Sequence, residues 1–139
     1  MSGFGQDPIP GMDATVADTT GSALSAAIPN ALLILNGPGA GRAIPIPDGR
    51  STAGRDDPPE INVEIDLSKA ELGTPPMVSR KHVCFDRSRD GLFATDLGST
   101  NGTWMNEERL YRDRRAGPIP PGARLRLGNL EMETIVRDP

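Results

Sequence analysis

Asp96-Leu97-Gly98-Ser99-Thr100-Asn101-Gly102-Thr103 is the stretch on which the fold of this chain turns. It joins two runs of strand character, Leu92–Asp96 and Thr103–Met105. Between extended runs, the Asn101-Gly102 pair favours a tight turn with positive φ, which holds the loop beside it in a fixed shape. Upstream, Ser79-Arg80-Lys81-His82 leads into a further extended run, Lys81–Asp86, and Gly54-Arg55 precedes Ile61–Asp66. Downstream lies Asn106-Glu107-Glu108-Arg109-Leu110. All four polar segments fall in loops at expected strand ends.

Their side chains suit an anion. Arg55 and Arg80 offer planar donor forks that match a phosphate, Ser79 places a hydroxyl beside them, and the Asn101 amide both donates and accepts. Taken alone, Arg55 next to Asp56 and Asp57 reads as a surface ion pair; in company with the other segments it reads as part of a binding site.

Working outward, Ala31–Leu35 ends at Asn36-Gly37-Pro38-Gly39, and Arg42–Ile46 follows this turn. Further short runs are Arg109–Tyr111, Arg124–Leu127 and Leu130–Val136. Several alternate or carry β-branched residues, and 16 Gly and 14 Pro among 139 residues punctuate them, which predicts an all-β sandwich or barrel. Helical letters occur only at Leu67–Leu72, where Gly73 and Pro75-Pro76 leave room for one turn at most. Residues 1–30 carry few large apolar groups to offset ordering entropy and read as a flexible, disordered N-terminal tail, with one domain over residues 31–139.

The order Gly-Arg, Ser-Arg-x-His, Leu-Gly-Ser-Thr-Asn-Gly-Thr, then Asn and Arg-Leu resembles the forkhead-associated (FHA) family, over about residues 31–137. The resemblance implies a β-sandwich of about eleven strands, with both termini at one end and phosphopeptide-binding loops at the other. It implies that Arg55 and Ser79 hold the phosphate of a phosphothreonine, with Arg80 beside them, and that Asn101 holds the adjoining peptide backbone. Thr100 then lines the loop, while Gly54, His82 and Asn106 brace it. It also implies a preference for phosphothreonine over phosphoserine. Three positions depart from the family pattern: Ala53 before Gly-Arg, Glu107 where Gly is common, and Ala123 where Asp is common. A Glu in left-handed geometry costs about 1 kcal/mol, so a differently shaped turn is expected at Asn106.

Composition narrows the function further. The formal net charge of −4 and five aromatic residues (three Phe, one Trp, one Tyr) disfavour a nucleic-acid-binding barrel or an anionic-membrane binder. Residues 1–30 hold three acids and no basic residue, leaving 15 basic against 16 acidic residues in the body. Local anion recognition therefore needs no globally basic protein. A single cysteine, Cys84, forms no internal disulfide, and no run approaches the ~18 apolar residues of a membrane span, so a reducing, cytoplasmic setting is expected. His82 is the only histidine, and bracing a loop explains it better than catalysis or metal binding. On a strand, Cys84 would stand two residues away at ~6.5–7 Å, too far for a thiol–imidazole dyad. Gly37–Arg42 lacks the Gly-Lys-Ser/Thr ending of a phosphate loop and reads as a turn. Asn101-Gly102-Thr103 fits a glycosylation sequon, but a hairpin turn explains it better.

The expected function is that of a non-enzymatic adaptor, without metal or cofactor, that binds a phosphothreonine-containing partner made by an upstream Ser/Thr kinase. A phosphate-independent interaction scaffold on the same fold is the alternative. Thr15, Thr19 and Thr20 are candidate phosphorylation sites in the tail. Thr15-Val16-Ala17-Asp18 matches a common FHA ligand pattern, which points to self-association through a phosphorylated tail.

Overall fold

A computed structural model describes residues 27–70 and 76–137. The tail threonines Thr15, Thr19 and Thr20 lie outside the described residues, as does the last part of the expected helical turn.

Eleven strands are described: β1 Ala31–Ile34, β2 Ala43–Pro45, β3 Gly49–Gly54, β4 Ile65–Asp66, β5 Val83–Ser88, β6 Gly91–Asp96, β7 Thr103–Met105, β8 Glu108–Arg109, β9 Arg115–Ala116, β10 Arg124–Leu127 and β11 Leu130–Ile135. They form a six-stranded sheet, β2-β1-β11-β10-β7-β8, and a five-stranded sheet, β4-β3-β5-β6-β9. All pairings are antiparallel except β3 with β4. The strands place alternate residues on one face, so Leu32 and Ile34, Leu125 and Leu127, and Leu130 and Met132 meet Ala53, Val83, Phe85, Leu92 and Ala94 from the other sheet in one core. As the composition requires, that core is chiefly aliphatic, with Phe85 its only fully buried aromatic among the described residues.

Beyond shifts of a few residues at strand ends, including β8 at Glu108–Arg109 where the sequence reading has Arg109–Tyr111, the structure adds two strands that this reading does not name, β3 and β9, and shortens β4. β3 has the residues Gly-Arg-Ser-Thr-Ala-Gly, with no large apolar side chain, yet it lies inside its sheet between β4 and β5. β4 is shorter than expected because the chain before it turns: Asp57 and Ile61 exchange backbone hydrogen bonds at 2.9 Å each, and the Asp56 carboxylate accepts Val63 N–H at 2.9 Å.

The pairings also fix the two ends of the sandwich. Asn30 donates its backbone N–H to Ile135 O and its side chain bonds to Arg137 at 2.8 Å, so the chain enters and leaves the domain at the same end. At the opposite end of β10 and β11, Gly128 N–H donates to Gly102 O at 3.0 Å. The loops after β3, before β5 and after β6 gather there.

Candidate anion-binding site

The site begins where β3 ends. A Cβ on Gly54 would run into the Arg80 carbonyl and would stand 2.7 Å from Ser79 O, so only glycine lets the two segments touch. Arg55 N–H then donates to Ser79 O at 3.2 Å, and its Nε–H donates to Val78 O at 2.6 Å. These bonds fix the base of the guanidinium. Its two terminal NH₂ groups, the fork that recognises an oxyanion, make no hydrogen bond to the described residues.

His82 joins the loops on either side. It is fully buried; Ser79 N–H donates to its Nδ1 at 2.9 Å and its Nε2 lies 2.9 Å from Gly102 O. Because Nδ1 accepts, the neutral ring carries its proton on Nε2 and donates to the Gly102 carbonyl. Both nitrogens are thus occupied by backbone, and a dyad with Cys84 does not form; burial also pushes the Cys84 thiol pKa up, away from the thiolate.

Ser79 closes the constellation. Its Oγ accepts Thr100 N–H at 3.1 Å, which leaves its own O–H to donate to a ligand. Asn101 Nδ2 donates to Met77 O at 3.0 Å, so the amide's oxygen is the atom left to accept from outside.

The residue that shapes this loop was not singled out in the sequence. Asp96, at the end of β6 and 4% exposed, accepts four hydrogen bonds: Gly98 N–H at 2.9 Å and Ser99 N–H at 3.1 Å on Oδ2, Ser99 Oγ–H at 2.6 Å and Thr103 Oγ–H at 2.7 Å on Oδ1. Burial alone would raise its pKa, but these donors, the two hydroxyls foremost, outweigh it and hold the carboxyl below its ordinary value. The loop is not a hairpin turn, because β6 and β7 belong to different sheets. It is a crossing between sheets, wound around one buried carboxylate. An Asp followed two or three residues later by Gly and Ser is the visible signal for such a turn.

Arg55, Ser79, Arg80, Lys81, Gly98 and Thr100, with Ile61, line an open pocket of about 440 Å³. Among the described residues, three cations and two hydroxyl-bearing side chains line it and no carboxylate does. Arg80 pairs with Asp57 at 3.2 Å, an exposed and easily exchanged contact. Asn106 stands apart from the pocket: it takes φ 48° and Glu107 takes φ 71°, the two central positions of the β7–β8 turn. Its Oδ1 accepts Arg124 N–H at 2.9 Å and its own N–H donates to Arg124 O at 2.7 Å, so it ties that hairpin to β10.

Comparison with known proteins points to one family. The FHA domain family matches over residues 51–128. The fold is similar to that of the FHA domain of an Arabidopsis thaliana hypothetical protein, with 25% identity and a TM-score of 0.63 over 81% of this chain and 91% of that one. It is also similar to Mycobacterium tuberculosis EmbR in complex with a low-affinity phosphopeptide (20% identity, TM-score 0.61, 81% of this chain and 25% of that one). A third similar structure is the MEK1 FHA domain in complex with a HOP1 phosphothreonine peptide (20% identity, TM-score 0.56, 80% of this chain and 99% of that one). No curated protein sequence matches the chain.

Proposed function

The chain belongs to the FHA domain family, and from that premise we propose that it binds a phosphothreonine-containing segment of a partner protein. The observation that carries this reading is the pocket lined by Arg55, Ser79, Arg80, Lys81 and Thr100, with no carboxylate among its described lining residues. A phosphate of about −2 charge with three acceptor oxygens needs such a ring of donors. Arg55 offers its terminal NH₂ groups and Ser79 its hydroxyl proton. Arg80 exchanges Asp57 for the ligand, and Asn101 accepts a peptide N–H through its free amide oxygen.

The recognition is binding without bond making, so the chain acts as an adaptor and the ligand comes from a Ser/Thr kinase acting elsewhere. We place it in the cytoplasm, where such kinases act and a free Cys84 persists. No helix among the described residues is long and apolar enough to cross a membrane. Thr15, once phosphorylated, is a candidate internal ligand: sixteen residues separate it from Ala31 and reach at most ~50–58 Å, enough to run to the loops or to a neighbouring copy.

An oriented phosphothreonine-peptide library, followed by titration of the selected peptide, tests the reading. Binding should require the phosphate, and phosphothreonine should exceed phosphoserine severalfold, because burying the extra methyl contributes ~0.8 kcal/mol. Equal binding of phosphorylated and unphosphorylated peptide would overturn it in favour of a phosphate-independent scaffold.

A further inference from the structure

The two arginines of the pocket stand in different states. Arg55 keeps its terminal NH₂ groups clear of the described residues, whereas Arg80 Nη1 is bonded to Asp57 Oδ2 at 3.2 Å. Asp57 belongs to no segment that carries the family resemblance. It comes from the stretch between β3 and β4, 23 residues before Arg80 in the chain.

That stretch is built to hold Asp57 in place. Asp57 and Ile61 exchange backbone hydrogen bonds at 2.9 Å in both directions, and Ile61 itself lines the pocket. One residue earlier, Asp56 N–H donates to Asp66 Oδ1 at 3.1 Å and Asp56 Oδ1 accepts Val63 N–H at 2.9 Å. The backbone that carries Asp57 is thus fixed on both sides. Its acidic neighbours are engaged elsewhere: Asp56, Glu64 and Asp66 accept backbone N–H groups of Val63, Thr52, and Asp56 with Ser68. Of these four acids, only Asp57 forms a salt bridge among the described residues, and it forms it with a cation of the pocket.

A phosphate and the Asp57 carboxylate ask for the same donors. While Asp57 holds Arg80, an incoming phosphate meets one open guanidinium and one that is already paired, so only the fraction of molecules with the pair open offers the whole site. The pair is 55% and 52% exposed, which makes it weak enough to open, and its effect is a modest factor in affinity.

We propose that Asp57 is an internal competitor for the phosphothreonine pocket: it masks Arg80 in the free protein and lowers the affinity for any phosphopeptide by the same factor. The proposal rests on the phosphothreonine reading and adds to it a residue that sets affinity from outside the pocket. Because the masking happens before the ligand arrives, the factor does not depend on what flanks the phosphothreonine.

The test titrates two library-selected phosphopeptides of unlike flanking sequence into the wild type, Asp57→Asn, Arg80→Ala and the double variant, by NMR where affinity is weak. Asp57→Asn should bind both peptides about twofold to fivefold more tightly than the wild type at low salt. In the Arg80→Ala background the same substitution should change nothing. Unchanged or weaker binding by Asp57→Asn, a gain confined to one peptide, or a gain that persists without Arg80 overturns the competitor while leaving phosphothreonine binding intact. A library that selects no phosphopeptide overturns both.

Discussion

Thr100 donates its backbone N–H to the Ser79 hydroxyl oxygen at 3.1 Å, so one side chain both faces the pocket and ties the two loops that form it. Ser79→Ala should lose the ligand's donor and the tether together. Arg55→Ala should lose the fork and the Nε–H bond to Val78 O, while the backbone bond from Arg55 N–H to Ser79 O remains. Removing one partner of a desolvated charge pair costs ~2–5 kcal/mol, so both variants should bind a selected phosphopeptide about thirtyfold or more weakly. Calorimetric titration decides this, with circular dichroism checking that both stay folded. Unchanged affinity in Arg55→Ala would sink the site.

His82 links Ser79 N–H to Gly102 O through the middle of the fold, and the bridge is structural before it is functional. His82→Ala should strand the Ser79 N–H where little water reaches it, at about 1–3 kcal/mol, while Gly102 O keeps the bond from Gly128 N–H. The expected result is a marked fall in denaturant midpoint along with weaker phosphopeptide binding. A variant as stable as the wild type would mean that water replaces the ring at no cost.

Asp96 makes the loop depend on pH. Its folded pKa lies below the unfolded value, so its stabilising contribution is complete above the unfolded pKa and is lost as pH falls through the folded pKa. Asp96→Asn replaces one acceptor oxygen with an NH₂ group that faces donors, at a cost of about 1–3 kcal/mol near neutrality. Urea unfolding at pH 7 and pH 3 should show a large difference between wild type and variant at the first and a smaller one at the second. A difference independent of pH would mean that the charge is not what holds the loop.

These dependencies also explain what could be read from the chain. Ser79-Arg80-Lys81-His82 and Asp96–Thr103 were legible because their polar groups stand at strand ends in a fixed order, and the sheets around them were legible from short apolar runs. β3 was not, because its buried residues Ser51, Ala53 and Gly54 are small: the sheet needs close approach there, and hydrophobic alternation carries no trace of that. Asp96 was not singled out because nothing local says that Thr103, seven positions on, donates to it. Arg112 pairs with Asp96, sixteen residues back in the chain, and so lays its side chain across Gly98, a contact that no linear pattern encodes.

Glu107 offers a test of backbone strain independent of the ligand. It occupies φ 71° beside Asn106 at φ 48°, so β7 and β8 are joined by a two-residue turn with both central residues left-handed. Asn tolerates that region, and the Asn106 side chain is further held by Arg124 N–H. Glu107 is exposed and has no ion pair among the described residues to offset its steric cost of ~1–2 kcal/mol. Glu107→Gly removes that cost but adds freedom to the unfolded chain worth ~0.5–1 kcal/mol. The balance favours the variant, with an expected gain of about 0.5–1 kcal/mol, visible as a higher denaturant midpoint at unchanged slope. Glu107→Ala, which keeps the Cβ, should gain nothing. If both substitutions stabilise equally, the strain lies in the Glu carboxylate and not in the backbone. Because the turn lies outside the pocket, phosphopeptide affinity should not follow stability in this pair.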